Sequence, residues 1–466
     1  MQTTFSKETY IERRNRLKKI IGSGVLLFLG NEESSVNFKD NWYPFRQDST
    51  FLYFFGLDMP GLTAVIDIDQ DIEILYGDNL TVEETVWQGS HPPLSDLANE
   101  VGMSYTKSKS EIGSFLTSVG DQRIHFLPPY RPENLQKLAV WLKKNHQEIH
   151  SLVSVEFIKA VVSLRSIKSD EEIRELTKAV NISVKMHQKL MSAAKPGMKE
   201  FELLGLVTGE AISLGGNVSF PPIITINGQI LHNHNYSNTL VGGKMLLGDF
   251  GAESASHYAG DITRTIPVGS RFSDGQREIY QIVLNAYHAA VAALKPGAMF
   301  KEIHLLACRK LAEGLKELGI MKGNLDEAVN QGAHALFFQF GLGHMLGMDV
   351  HDMEDLGEEY VGYTDELKKS SQFGLRSLRL GKELEKGYCV TIEPGIYFIP
   401  KLIDQWQAEN LHSNFIDYEK LAHLRDFGGI RVEDGFVITD TGSKILGEPL
   451  PIEITDVENI RAKAIQ

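Results

Sequence analysis

The stretch from Leu247 to Arg264 constrains this chain more than any other. It places Asp249 inside the mostly apolar run 244–250 and Asp261 at the head of the β-branched run Ile262 to Val268. Two such runs joined by glycines and small polar residues read as an antiparallel hairpin. A turn centred near Ala255 sets Asp249 opposite Asp261, with Cβ atoms about 4.5–5.5 Å apart. Two carboxylates that close repel unless a proton or a cation lies between them. Either aspartate alone would pass for an exposed turn acid. Inside apolar runs an unpaired charge is costly, and a bound metal accounts for the pair better.

At 466 residues the chain is too long for one ordinary core and is expected to form two or three domains. A net charge of -14 argues against a nucleic-acid surface. The two cysteines, Cys308 and Cys389, lie in apolar contexts and read as buried thiols of a reducing compartment. Arg13 to Lys19 followed by Ile20 to Leu29 superficially resembles a targeting leader. Glycines break the apolar run, Asn31-Glu-Glu follows, and a helix feeding a buried strand explains it better. No run approaches the roughly 18 apolar residues of a spanning helix, so a cytoplasmic location is expected.

Residues 1 to about 160 read as an α/β domain. A helix is expected over Glu8 to Ile20, strands over Val25 to Leu29, Leu62 to Ile68 and Glu73 to Tyr76, and a helix over Asn134 to Lys144. The aromatic stretch Trp42 to Gly56 reads as core and interface packing. From Ser169 the pattern changes: Ser169 to Glu172 resembles a helix N-cap, the helix runs to Met191, and Lys195-Pro-Gly197 stops it before a second helix over Phe201 to Leu214. The order recurs as a helix over Glu278 to Leu294, Lys295-Pro-Gly297, and a helix over Lys301 to Leu318, which suggests an internal duplication. Glu354 to Lys386 and Pro400 to Phe427 look inserted.

Three further places join titratable groups to tight backbone. Gly341 to His351 holds His344 and His351. Val390 to Tyr397 ends a buried strand with Glu393 at a Pro-Gly turn. Gly428 to Gly435 sets Arg431 and Glu433 on one face of a strand. Singly, these would be a satisfied core histidine, a turn acid and a surface ion pair. Jointly, one histidine and four carboxylates suit two divalent ions such as manganese better than a single zinc.

Together these stretches resemble the pita-bread metallopeptidases (aminopeptidase P, prolidase and methionine aminopeptidase) over about residues 165 to 440, and Tyr43 to Leu57 resembles the N-terminal domain of the first two. The resemblance implies an α/β (α+β) fold: a creatinase-like α/β domain over 1–160 and a pita-bread catalytic domain over 161–466 with pseudo-two-fold duplication. It implies that Asp249 holds one metal, Asp261 and Glu433 bridge two, and His344 and Glu393 complete the second. Manganese is the first choice, with zinc or cobalt as alternatives. His232, seventeen positions before Asp249, and His351 match substrate-facing histidines. Arg431 matches the arginine beside the bridging glutamate, and Tyr397 the tyrosine after the Glu-Pro-Gly turn. Phe340 stands where the prolyl-specific branch usually has histidine, which bears on substrate binding beside the leaving proline.

The implied reaction is release of the residue in front of a proline in second position. A water shared by the two metals attacks as hydroxide, with His232 or His351 at the oxyanion and Glu393 relaying the proton. An Xaa-Pro aminopeptidase is the expected activity, a homodimer or homotetramer the expected assembly, and a peptide the expected partner, with no nucleic acid or membrane. Phe373 to Arg376 and the insert between Tyr397 and Gly428 resemble prolidase, the dipeptide-restricted alternative. A metal-free binding module of the same fold ranks below both, because all five ligands are present.

Overall fold

The computed structural model describes residues 3–120 and 123–465. The chain forms two compact units, Met1–Arg165 with Met353–Tyr360, and Ser166–Asp352 with Val361–Gln466.

The first unit is built on a mixed sheet of β1 (Val25–Leu29), β2 (Thr63–Asp67), β3 (Ile72–Tyr76), β4 (Tyr105–Lys107) and β5 (Ile124–Phe126), in the order β4-β3-β2-β1-β5. The basic stretch near the N-terminus lies in the Lys7–Ile21 helix, capped by the Ser6 side chain. Two of its arginines, Arg13 and Arg14, are buried and structural. Arg13 donates to Tyr53 O (2.8 Å) and Arg14 to Phe54 O (3.0 Å), satisfying carbonyls at the end of the Ser49–Phe55 helix, while Arg14 also pairs with Glu73 (2.7 Å). The aromatic stretch divides. Phe51, Tyr53, Phe54 and Phe55 are buried, with Phe28 packed on Phe54 and Phe55, whereas Trp42 and Tyr43 are exposed.

In the second unit the strands are β6 (Asn217–Val218), β7 (Ile223–Thr225), β8 (Met245–Phe250), β9 (Ala252–Glu253), β10 (Ile262–Pro267), β11 (Cys389–Ile392), β12 (Gly395–Tyr397), β13 (Gly429–Arg431), β14 (Asp434–Ile438) and β15 (Ser443–Ile445). They form the sheets β10-β8-β7, β11-β14-β15, β12-β13 and β6-β9. Helices Asp170–Ala193 and Glu200–Ser213 flank the first Lys-Pro-Gly, and Asp274–Ala293 and Phe300–Glu317 flank the second. The third helix starts a turn before its apolar period does, because Ser273 and Gln276 form a capping box.

The duplication is written in the backbone bonding. Gly197 N donates to Leu240 O and Gly297 N to Leu384 O, each at 2.9 Å. Glu200 N donates to Asn238 O (3.1 Å) and Phe300 N to Lys382 O (3.0 Å). Residues one hundred positions apart therefore meet equivalent strand-like segments. The two inserted segments pack together through Phe373 and Trp406, whose ring centroids are 5.9 Å apart.

One register differs from expectation. Strands β8 and β10 are antiparallel, but Asp249 faces Thr263, not Asp261. The turn centres one residue later than Ala255, since Glu253 bridges Ala259 and His257 takes a left-handed φ of 64°. A slip of two positions preserves the facing, so both aspartates still point the same way.

Candidate metal centre

Each acidic side chain reaches the site from a different strand end. Asp249 comes from β8, Asp261 immediately precedes β10, Glu393 follows β11, and Glu433 immediately precedes β14. His344 lies in the loop beside β11, tied by Thr391 N to His344 O (3.0 Å) and His344 N to Thr391 Oγ1 (3.1 Å). The loop fits only because position 343 is glycine: a Cβ there would meet Thr391 O at 2.0 Å.

All five side chains that the sequence singled out come together on one cavity of about 450 Å³. His344 Nε2 lies 3.4 Å from Asp261 Oδ2 and 3.7 Å from Glu393 Oε1. Ligand atoms of Asp261, His344 and Glu433 lie within 4.8 Å of one another. Arg431 does not pair with Glu433. Its Nη2 meets Asp249, Nη1 donates to the Tyr397 hydroxyl (2.7 Å), and Nε donates to Thr263 Oγ1 (3.1 Å), which itself donates to Glu433 Oε2 (2.6 Å). Nor do Arg431 and Glu433 share one strand: β13 ends at Arg431, and Glu433 bridges back to Thr263 before β14 begins.

Protonation follows from this crowding. Burial, and then Asp249, raise Asp261 well above the usual carboxylate range. Burial raises Glu433 likewise, with Asp261, Glu393 and Asp249 adding to it. Glu393 is pushed up to about 8 by burial, partly offset by Arg431. Burial opposes the charge on Arg431, but Tyr397 and Asp249 hold it firmly protonated.

These residues fit a cation on two counts. His344 Nδ1 faces Met345 O at 2.9 Å, and a carbonyl only accepts, so this nitrogen carries the proton. The Nε2 lone pair is thereby turned toward two carboxylate oxygens, the tautomer a metal ligand needs. Asp261 Oδ1 and Glu433 Oε1 are buried and have no hydrogen-bond partner among the described residues. A divalent cation would satisfy all of these atoms at once. A second buried trio, His304, Cys308 and His334, differs. There His304 Nδ1 accepts from Leu342 N (3.2 Å), so the neutral ring holds its proton on Nε2, 3.4 Å from Cys308 Sγ, and turns no lone pair outward.

His232, Phe340 and His351 also line the cavity. His232 sits on an exposed loop, and partial burial of its ring lowers its pKa. The His351 ring is 4.4 Å from that of His344. Phe340 packs on Tyr397 (5.5 Å) beneath the Arg431 guanidinium. Tyr397, which the family resemblance marks as substrate-binding, is fully buried and touches the cavity residues Arg431, by its hydroxyl, and Phe340, by its ring. Sequence reasoning missed Ser377 and Arg379, which also line the wall. They belong to the segment that looked inserted. The only signal was a pair of arginines, Arg376 and Arg379, just after Gly374.

The sequence profile of metallopeptidase family M24 matches residues 174–440, and that of the aminopeptidase P N-terminal domain matches 10–125. The chain belongs to metallopeptidase family M24. This M24 hydrolase is 32% identical to the human Xaa-Pro dipeptidase over 451 residues, covering 95% of this chain and 89% of that one. It is 31% identical to a probable Xaa-Pro aminopeptidase of Sordaria macrospora, covering 90% and 88%. Among solved structures, proline aminopeptidase P II from Yersinia pestis superposes with a TM-score of 0.81 at 27% identity, covering 98% and 100%. A zinc-substituted aminopeptidase P of Escherichia coli in complex with product gives 0.81 at 27%, covering 99% of each. Family membership implies divalent metal ions.

Proposed function

We propose that this M24 peptidase is an Xaa-Pro aminopeptidase working with two divalent ions, manganese the first candidate. The observation that carries the reading is the His344 Nε2 lone pair facing the oxygens of Asp261 and Glu393. Asp249, Asp261, His344, Glu393 and Glu433 would hold the ions. Bound there, the ions supply an acidified water and a Lewis acid for the scissile carbonyl.

The protein's own groups do the rest. Arg431 orients Asp249 and, through Thr263, Glu433. His232 and His351 donate to the carbonyl oxygen as it gains charge. Glu393 accepts the proton taken from water and passes it to the prolyl nitrogen as the C–N bond breaks. Phe220, Pro221 and Phe340 offer the pyrrolidine ring an apolar wall.

Arg379 favours a second reading, restriction to dipeptides. Its charge acts on Asp261, Glu393 and His232 from the same cavity wall, within reach of a carboxylate one residue beyond the scissile bond. Hydrolysis of matched Xaa-Pro and Xaa-Pro-Yaa substrates separates the readings. Turnover of the tripeptide supports the aminopeptidase, and turnover confined to the dipeptide, lost in Arg379→Met, supports the dipeptidase. Failure to cut either contradicts both.

A further inference from the structure

Internal duplication offers a comparison inside one chain. Position 200 in the first half corresponds to position 300 in the second, each opening the helix after Lys-Pro-Gly, and each is completely buried. The second half has phenylalanine there. The first has Glu200, and no cation pairs with it among the described residues. A buried acid is costly where an equivalent position shows that an apolar ring packs well. Its contacts show what it is for. Glu200 Oε1 accepts from Ile226 N (2.8 Å) and Oε2 from Asn238 Nδ2 (2.9 Å), while Glu200 N donates to Asn238 O (3.1 Å). Ile226 and Asn238 are the two ends of the loop that carries Leu231, His232 and His234 to the cavity.

Between those ends the loop is held by short polar links. Thr225 Oγ1 accepts from Asn227 N and from Asn233 Nδ2, and Asn233 Oδ1 accepts from Asn235 N. None of these ties the two ends to each other. The Tyr236 hydroxyl, donating to Pro222 O (2.6 Å), joins the flanks of the loop, and Glu200 joins Ile226 and Asn238 themselves. We propose that Glu200 is a positioning residue, one carboxylate that clasps both ends of the 226–238 loop and so fixes His232 against the substrate carbonyl. The inference rests on the reading of His232 as a donor to that carbonyl.

The test uses the full metal-loaded enzyme and the variants Glu200→Leu, Glu200→Gln, His232→Ala and Glu200→Leu/His232→Ala, with kcat, KM and metal content measured for each. Glu200→Leu is expected to keep its metal and its KM and to lose kcat by about 10–100-fold, as for other residues that orient active-site groups. Glu200→Gln should restore most of that loss. Its oxygen can accept from Ile226 N, and its NH2 can donate to Asn238 once that amide turns over. In the His232→Ala background, Glu200→Leu should slow the enzyme little further. An unchanged kcat in Glu200→Leu beside an impaired His232→Ala would overturn this inference alone, and so would a fall as large in the His232→Ala background as in the parent. Full activity of His232→Ala would overturn the reading of His232 as well. If Glu200→Leu does not fold, Asn238→Ala removes one arm of the clasp and should show the same kcat-only loss, smaller in size. Parental kcat there would overturn the clasp.

Discussion

At Asp261 one carboxylate oxygen meets no hydrogen-bond donor, and the other faces the lone pair of His344 at 3.4 Å. Without a cation this arrangement costs stability, since an unsatisfied buried acceptor is worth about 1–3 kcal/mol. Asp261→Asn supplies an NH2 that can donate to the surrounding acids. In metal-stripped protein it should therefore raise the free energy of urea unfolding by about 1–3 kcal/mol, and in metal-supplied protein it should abolish turnover. Asp261→Asn less stable than the stripped parent would contradict this account of the site. At this scale much was legible in the sequence. Asp249, Asp261, His344, Glu393 and Glu433 were each marked by an acid or imidazole beside glycine or a strand end. Glu200 and Arg379 were not. A glutamate opening a helix looks like ordinary first-turn chemistry, and an arginine in an irregular segment looks like solvent. Only the fold shows which partners they meet.

Strands β8 and β10 depend on a residue of the Asp170–Ala193 helix. His187 is fully buried, stacks on Phe250 with ring centroids 3.9 Å apart, and donates from Nε2 to Phe250 O and Ile262 O (3.1 and 2.9 Å). It thus closes the strand pair next to both aspartates. Burial and the Arg264 charge lower its pKa to about 3, so the folded chain holds it neutral. An unfolded histidine takes up a proton near 6.5, and its contribution to stability is complete above that value and lost as pH falls toward 3. Between pH 6.5 and 5 this one group should remove about 2 kcal/mol. His187→Gln keeps a donor but not the titration. Its urea-unfolding free energy should fall less steeply over that window, and a slope equal to the parent's would contradict the assignment. Helices were legible from caps and period, the strand register less so. A one-residue displacement of the turn, set by His257 in the left-handed region, leaves no mark in hydrophobic patterning.

For the whole molecule, the repeated Lys-Pro-Gly disclosed a duplication that the backbone bonding of Gly197 and Gly297 bears out. It said nothing of how the two inserted segments meet through Phe373 and Trp406. Every proposed ligand lies in the unit formed by Ser166–Asp352 and Val361–Gln466. Metal binding should therefore stabilise one unit only. Calorimetry with excess manganese should raise one unfolding transition, by about 2.7 kcal/mol for each ion bound at a free concentration one hundred times its Kd, and leave the other where it was. An equal rise in both would contradict this placement.

The central claim, that five side chains from separate strand ends and a loop hold a pair of cations that make Xaa-Pro hydrolysis run, is tested most directly by titrating metal into stripped enzyme while following both bound ion and turnover of an Xaa-Pro-Yaa peptide. The account predicts two ions per chain at saturation, activity that returns with them, and neither in Asp261→Asn. Full turnover in the stripped enzyme, or parental metal binding by Asp261→Asn, would contradict it.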